Sequence, residues 1–283
     1  MSNSYGTSAK SSTCFAGLLF ALKAYLHISW GGDPPDFKQR PNTSMLLRHI
    51  HLGLTKYTTA SRLQQNLVSA FLAHKANPAL NPAPQPTVLT AEFRPVYTCG
   101  RREVGTVSEA QKAFLTEQTP WGRAEFHEAL RGGQTTFHGP GQLIAYPILD
   151  LKTHGLTPRC YIHALESAVI GTCAHYGVST ARTENPGVWA NDNEKVCAVG
   201  VHLRRNITSH GVGLNVSTEL GWFKRIVGCG LEGKGATSLE REGVEGAGVE
   251  QVGVEFVRQL SKGMSGIEGI ERVDSLSGID DNE

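Results

Sequence analysis

Three side chains in this sequence offer chemistry that packing alone does not call for: the amine of Lys195 and the thiols of Cys99 and Cys229. Cys99 lies in YTCGRR, just ahead of Arg101 and Arg102, and Cys229 lies in VGCGL with a glycine on each side. A nucleophilic cysteine needs exposure, a nearby cation and donors for a developing oxyanion. At its ordinary pKa of about 8.5 a thiol is only a few per cent thiolate at neutral pH. The arginines would serve the first thiol and the unhindered glycine amides the second. Spacing alone leaves the two nearly level, with Cys229 slightly ahead. Cys160, Cys173 and Cys197 occupy patterned, core-like positions, where cysteine acts as a small hydrophobe, and Cys14 lies near the N-terminus. None of the six cysteines forms a C-x-x-C pair or a zinc-ligand spacing, so they read as free thiols of a reducing compartment.

Lys195 opens the segment KVCAVGVHL (195–203). In a strand, Lys195, Cys197, Val199, Val201 and Leu203 share one face, and four of these five are apolar, so the face looks inward. Either the lysine snorkels out at the strand end, or its amine is partly desolvated, which disfavours the charged form and suits proton exchange near neutrality. In ITSHGVGLNV (207–216), His210 shares a face with Val212, Leu214 and Val216, a pattern commoner for a core histidine than for a functional one. Gly211 and Gly213 fall on the opposite face. There they leave a groove for something slender, or let another strand pack close. Residues 131–142, RGGQTTFHGPGQ, hold four glycines, a proline, an arginine and a histidine. Glycine inside a regular element costs about 0.5–1 kcal/mol relative to alanine. The run therefore reads as a loop that something approaches closely, or that turns where a side chain would clash.

Periodicity supplies the elements that must position these residues. A strand is expected at 46–52 and an amphipathic helix at 57–76, with Ala60, Leu63, Leu67, Val68, Phe71 and Leu72 along its apolar stripe. Four prolines make 77–86 an irregular connector. Strands follow at 87–93 and 94–100, then a loop with one helical turn over 101–124, then strands at 125–130, 134–138 and 142–149. Pro147 implies an edge or a bulge in the last of these. A second helix covers 157–177 and stops at Gly177. Strands near 187–190, 195–203 and 207–216, a short helix at 218–226 and a helix near 249–260 complete the pattern. From residue 261, glycine, serine and acidic residues without periodicity predict a frayed tail. Hairpin-like strand neighbours with two long helices predict one α+β domain rather than a doubly wound parallel sheet.

The 283 residues are 40% hydrophobic and 19% charged, enough for a sizeable core. A net charge of +1 supplies no global field toward nucleic acid or a membrane surface. A charged partner would have to meet a local patch such as Arg101–Arg102 or Arg204–Arg205. Residues 1–32 lack Asp and Glu, as transit peptides do, but also lack the arginine such peptides favour. The run CFAGLLFAL (14–22) is too short to span a membrane, and folded-domain patterning begins near Met45. Mitochondrial targeting is the expectation, with the cytoplasm as the alternative.

RGGQTTFHGPGQ, followed by LIAYPILDL (143–151), resembles the signature of the lipoyl (octanoyl) transferases, in their mitochondrial, fungal form. The likeness continues in order through PGVW (186–189), KVCAVGVHLRR (195–205), SHGVGLNV (209–216) and WFKRIVGCGL (222–231), over about residues 45 to 240. It implies a biotin/lipoate ligase-like α+β fold, a single domain with a mixed, largely antiparallel sheet flanked by helices. It divides the chain into a leader or targeting segment at 1–44, an octanoyltransferase catalytic domain at 45–260 and a flexible tail at 261–283. It makes Cys229 and Lys195 the catalytic pair. The substrate-binding stretches become Arg131, Gly132, Gly133, Gln134, Thr135, Thr136, Phe137 and His138, with Ala198, Val199 and Gly200, and Gly211, Val212 and Gly213.

The reaction so implied moves an octanoyl group from acyl carrier protein, through an acyl-Cys229 thioester, to a lysine ε-amine of a lipoyl domain. The implied acceptors are the E2 subunits of 2-oxoacid dehydrogenases and the glycine cleavage H protein. The donor rides on the carrier's phosphopantetheine arm, and no cofactor, metal or ATP is called for. On this resemblance Gly132, Gly133, Gly139 and Gly141 let a thin acyl chain and its carbonyl lie against the backbone, while Arg131 and His138 brace the loop or contact the carrier arm rather than transferring protons. Gly228 stands where the family commonly has proline, which would loosen the nucleophile's loop without removing a reacting atom. An ATP-dependent lipoate or biotin ligase, or a non-catalytic carrier-binding relative, would share the same fold.

Overall fold

Period-2 alternation divides single strands between two cores. In the strand Gln142–Ile148, Leu143 and Ala145 pack into one hydrophobic cluster, while Ile144, Tyr146 and Ile148 pack into another on the opposite face. The computed structural model of the chain describes residues 45–226 and 233–273. Residues 1–44, the segment 227–232 that carries Cys229 with Gly228 and Gly230, and residues 274–283 lie outside it.

The chain enters at β1 (Met45–Thr55), crosses in α1 (Tyr57–Ala76) and returns in β2 (Thr87–Phe93), parallel to β1. After a smaller sheet described below, β6 (Gln142–Ile148) runs antiparallel to β2, and α3 (Pro158–His175) follows. Next come β7 (Val188–Trp189), β8 (Glu194–Arg204), β9 (Ile207–Asn215) and β10 (Gly235–Ala236), then α4 (Val249–Lys262) and β11 (Ile267–Val273). The sheet order among the described residues is β10-β8-β9-β6-β2-β1-β11, with β7 paired to β8. Helices α3 and α4 cover one face through Tyr161, Leu165, Val169, Phe256 and Leu260. Helix α1 covers the other through Tyr57, Leu63 and Phe71. Thr157 caps α3 by accepting from the Cys160 amide, Pro158 supplies its fixed φ in the first turn, and Gly177, with φ +80°, lets the chain leave.

The second sheet carries the glycine-rich segment. β3 (Val96–Cys99) pairs parallel with β4 (Glu125–Glu128) and antiparallel with β5 (Thr136–His138). Its core is aromatic: the Phe137 ring stacks on Trp222 at 4.9 Å between centroids, and Tyr97 donates its hydroxyl hydrogen to the Trp222 carbonyl at 2.8 Å. Trp222 belongs to a 3-10 turn over Leu220–Arg225 that leads into the Cys229 segment.

The structure departs from the sequence expectations in three places. The expected loop at 101–124 contains a full helix, α2 (Glu109–Thr116), capped by Ser108 and seated through the buried Leu115. Where a frayed tail was expected from 261, α4 continues to Lys262, Met264 is buried, and β11 pairs parallel with β1. Every second residue of IEGIERV reaches only a sheet edge, so no hydrophobic alternation announces the strand. Pro147 sits between β2 and β9 instead of at an edge. Its missing N–H falls beyond the last β6–β9 pair, Ala145–Val212, where His210 takes φ +56° and Thr208 Oγ1 donates to the Pro147 carbonyl at 2.7 Å.

Trp222 clamps the second sheet beneath the glycine-rich loop, so Trp222→Ala should cost about 3–5 kcal/mol in denaturant unfolding. An unchanged midpoint would refute this account of the aromatic core.

Candidate active site

The register of β8 against β9 pairs Ala198 with Gly213 and Gly200 with Gly211, so four small residues share one face of the ladder. The glycine-rich segment lies over that face. Together they line a narrow groove. Arg131, Gly132, Gly133, Gln134, Thr135, Thr136 and His138 contribute to it from the loop, and Ala198–Gly200 and Gly211–Gly213 from the sheet. Phe137 does not: it points away into the aromatic core beside Trp222. Tyr146 does line the groove, though the sequence analysis gave it no role. The signal was its place in the alternation Gln142, Ile144, Tyr146, which shares the Gln142 face.

Several of the glycines turn out to be spoken for by protein atoms, whereas Gly132 and Gly133 have only ordinary contacts. A Cβ on Gly200 would stand 3.2 Å from Arg131 Cδ, and one on Gly213 would stand 3.4 Å from the His138 ring. On Gly211 it would collide with the Ala145 carbonyl, and on Gly139 it would meet the Phe137 ring at 2.5 Å. Gly141, at φ +78°, turns against Ser217. The expectation that Gly139 and Gly141 lie against an acyl chain is therefore corrected: they seat the loop on the protein. Arg131, almost fully buried, braces that loop. It donates to the carbonyls of Gly132 and Gln134 at 3.0 and 2.9 Å, and to the carbonyl and hydroxyl of Thr98 in β3. From outside, Glu103 accepts from the Thr135 amide and hydroxyl at 2.6 and 2.7 Å.

Lys195, the second residue of β8 and three residues before Ala198, lines a second recess with Trp189, Phe223, Lys224, Lys234 and Arg241. Its Nζ stands 4.6 Å from the centre of the Trp189 ring, and its Cδ and Cε pack over Gly187. Among the described residues, no three or more His, Cys, Asp and Glu side chains gather as a metal site would need. No helix among them is long and apolar enough to cross a membrane.

The profile of the lipoyl protein ligase A/B catalytic domain matches residues 56–261. The chain belongs to that family. A probable octanoyltransferase of Schizosaccharomyces pombe is 50% identical over 192 residues, covering 68% of this chain and 83% of the relative. The mitochondrial octanoyl-acyl-carrier-protein:protein N-octanoyltransferase of Homo sapiens is 39% identical over 210 residues, covering 73% and 88%. Among solved structures, a lipoate-protein ligase A bound with ATP superposes with a TM-score of 0.58 at 11% identity, over 82% of this chain and 89% of that one. At that identity the likeness bears on the fold, which is the α+β arrangement of the lipoate ligases.

Three of the described thiols, Cys99, Cys173 and Cys197, are disfavoured as thiolates. Burial, with the carboxylates of Glu103 and Glu128, pushes the Cys99 thiol up against the lowering effects of Thr135 and Arg131, despite the arginines that follow it in sequence. Burial raises Cys173 to about 11 and Cys197 well above the ordinary range. Cys229 lies outside the described residues. Two buried groups that the sequence analysis quoted without a role, Gln142 and Asn215, prove to be bonded to each other at 2.8 Å beneath the groove.

Three histidines are held neutral. Burial, then the charge of Arg131, lowers His138 to about 3. Burial, then Arg131, also lowers His210 to about 3, and burial with His51 and Arg272 lowers His49 to about 4. In the unfolded chain each returns to about 6.5, so below that pH the unfolded state takes up protons that the native state refuses. The stability is complete above pH 6.5 and is lost as the pH falls toward 4 and then 3, at about 1.4 kcal/mol per pH unit for each histidine. Denaturant midpoints should drop between about pH 6.5 and pH 5, before the carboxylates titrate, and His49→Asn should make the slope shallower. A flat profile over that interval would contradict the burial of these rings.

Proposed function

We propose that this chain is an acyltransferase that moves an octanoyl group from acyl carrier protein to the lysine of a lipoyl domain, through a thioester on Cys229. One observation carries the assignment of the pair. Described residues on both sides of the Cys229 segment border the recess that holds Lys195. Phe223 and Lys224 line that recess on the upstream side, and on the downstream side Ala236 pairs directly with Lys195. The sequence likeness to named octanoyltransferases supports the acyl group and its direction of transfer.

In the first step Lys195 draws the proton from Cys229, the thiolate attacks the carbonyl of the octanoyl thioester, the C–S bond to the carrier breaks, and Lys195 returns that proton to the departing sulfur. The cation of Lys195 favours the thiolate. The acyl chain takes the groove between the 131–138 loop and the β8–β9 face. In the second step a lysine ε-amine of the acceptor attacks, the C–N bond forms, the C–S bond breaks, and the departing sulfur ends protonated, with Lys195 relaying the proton. Amide formation from a thioester runs downhill, so the reaction needs no nucleotide. Amides beside Gly230 and in the glycine-rich loop would meet the oxyanion. Lipoyl domains of 2-oxoacid dehydrogenase E2 subunits and the glycine cleavage H protein are the acceptors of this reading. The mitochondrion is its compartment, as in the names of several relatives.

Intact-mass analysis after mixing with octanoyl-acyl carrier protein should show one octanoyl adduct on the wild type and none on Cys229→Ala. Lys195→Met should slow the adduct's appearance about 10²- to 10⁴-fold. An adduct on Cys99, or product formed from free octanoate only when ATP is added, would overturn the assignment.

A further inference from the structure

Beneath the groove runs a chain of hydrogen bonds whose direction is fixed at one end by a group that can only accept. Asn215 Nδ2 lies 2.9 Å from the Thr237 carbonyl, so this atom is the amide nitrogen and donates. Asn215 Oδ1 is then the acceptor that faces Gln142 Nε2 at 2.8 Å, which leaves Gln142 Oε1 facing His138 Nδ1 at 2.7 Å. A second donation, from Gln142 Nε2 to the Phe137 carbonyl at 3.4 Å, agrees with this orientation. Because Oε1 only accepts, His138 must carry its hydrogen on Nδ1, and its Nε2 is left as a lone-pair acceptor. Gln142, Asn215 and Thr237 are buried. His138 lines the groove, and its Nε2 makes no hydrogen bond among the described residues.

An acceptor beside this groove suits only part of the chemistry. The thioester's reacting atoms, its carbonyl oxygen and its sulfur, carry no hydrogen to give, and a lone pair facing the oxyanion would oppose it. The group that brings N–H hydrogens to the reacting carbon is the incoming amine. His138 packs over Gly213, which pairs with Ala198, so it stands at the part of the groove nearest Lys195 on β8. The Thr237 amide bonds the Lys195 carbonyl at 2.9 Å, so the relay and the lysine hang on the same strand segment. We propose that His138 accepts a hydrogen bond from the incoming lysine amine, and that Gln142 and Asn215 are positioning residues that hold it in the tautomer able to do so. This rests on the octanoyl-transfer reading above. No proton passes to His138. The amine lone pair forms the C–N bond, the C–S bond breaks, and the proton leaves by Lys195 to sulfur. Burial and Arg131 suit the ring to this role, since they keep it from becoming the cation that could not accept.

The tautomer is read directly in the full-length wild type by ¹⁵N spectra of its histidines, with His138→Asn to assign the signal. Protonated Nδ1 with bare Nε2 is expected, and protonated Nε2 would overturn the proposal. In single-turnover assays, His138→Leu should slow transfer from the acyl-enzyme to a lipoyl domain about 10- to 100-fold, the loss of one hydrogen bond to a reacting group, and slow acylation far less. His138→Gln, whose side-chain carbonyl can reach the same point, should recover part of the loss, and Gln142→Leu should mix the tautomers and slow the same step. Acylation slowed as much as transfer would place the contact on the carrier arm instead and overturn the proposal. A wild type that takes up no octanoyl group would overturn the proposed function as well, whereas an Nε2-protonated ring overturns only this inference.

Discussion

The site depends on how closely one loop can approach one sheet. Segment 131–138 rests on the β8–β9 ladder with Arg131 over Gly200 and His138 over Gly213, at distances where even a methyl group would press on its neighbour. Side chains there would lift the loop by the thickness of a carbon, and the groove would open into a cleft. The seat is held from both ends: aromatic stacking of Phe137 on Trp222 pulls the β5 end down, and Arg131 ties the other end to Thr98. The aromatic stack lies outside the groove and Arg131 ties the loop down while lining it, so a rigid wall can be built from residues as permissive as glycine.

That arrangement sets the electrostatics. A guanidinium buried among carbonyls is a fixed positive charge in a poorly solvated place, and it acts on every ring around it. It contributes to holding both His138 and His210 uncharged. The amide relay below carries no net charge either, so it orients His138 without giving it a reason to protonate. A carboxylate in the place of Gln142 would also fix the ring, but would draw a proton onto it.

Much of this was legible in the sequence, for identifiable reasons. Strand and helix periods located β1, α1, β6, α3, β8 and β9, because each buries a face. The three groove-lining stretches came from their likeness to a family, and in the structure the β8–β9 register brings two of them side by side. Strand β11 was hidden because an edge strand with one half-exposed face needs no apolar alternation. Phe137 was misassigned because a strand's alternation inside a motif sends every second residue the other way. On the resemblance the loop glycines were read as room for an acyl chain, and Gly211 and Gly213 as room for something slender or for a closely packed strand; sequence cannot distinguish room for a ligand from room for an arginine. Gln142 and Asn215 were quoted within motifs, but a hydrogen-bond relay between residues 73 positions apart exists only after β6 and β9 have paired.

Taken with the proposed mechanism, these constraints separate two tasks that one residue often combines. A group that takes a proton during aminolysis must be able to hold it briefly, and His138, buried beside Arg131, is unfit for that. The recess beyond the start of β8 is open and lined by several cations, so a proton arriving at Lys195 can be passed to solvent or sulfur. Direction is then set in the groove and protonation in the recess, and β8 joins them. The three residues from Lys195 to Ala198 span about 10 Å of strand, within reach of a lysine side chain from one side and a bound acyl carbonyl from the other.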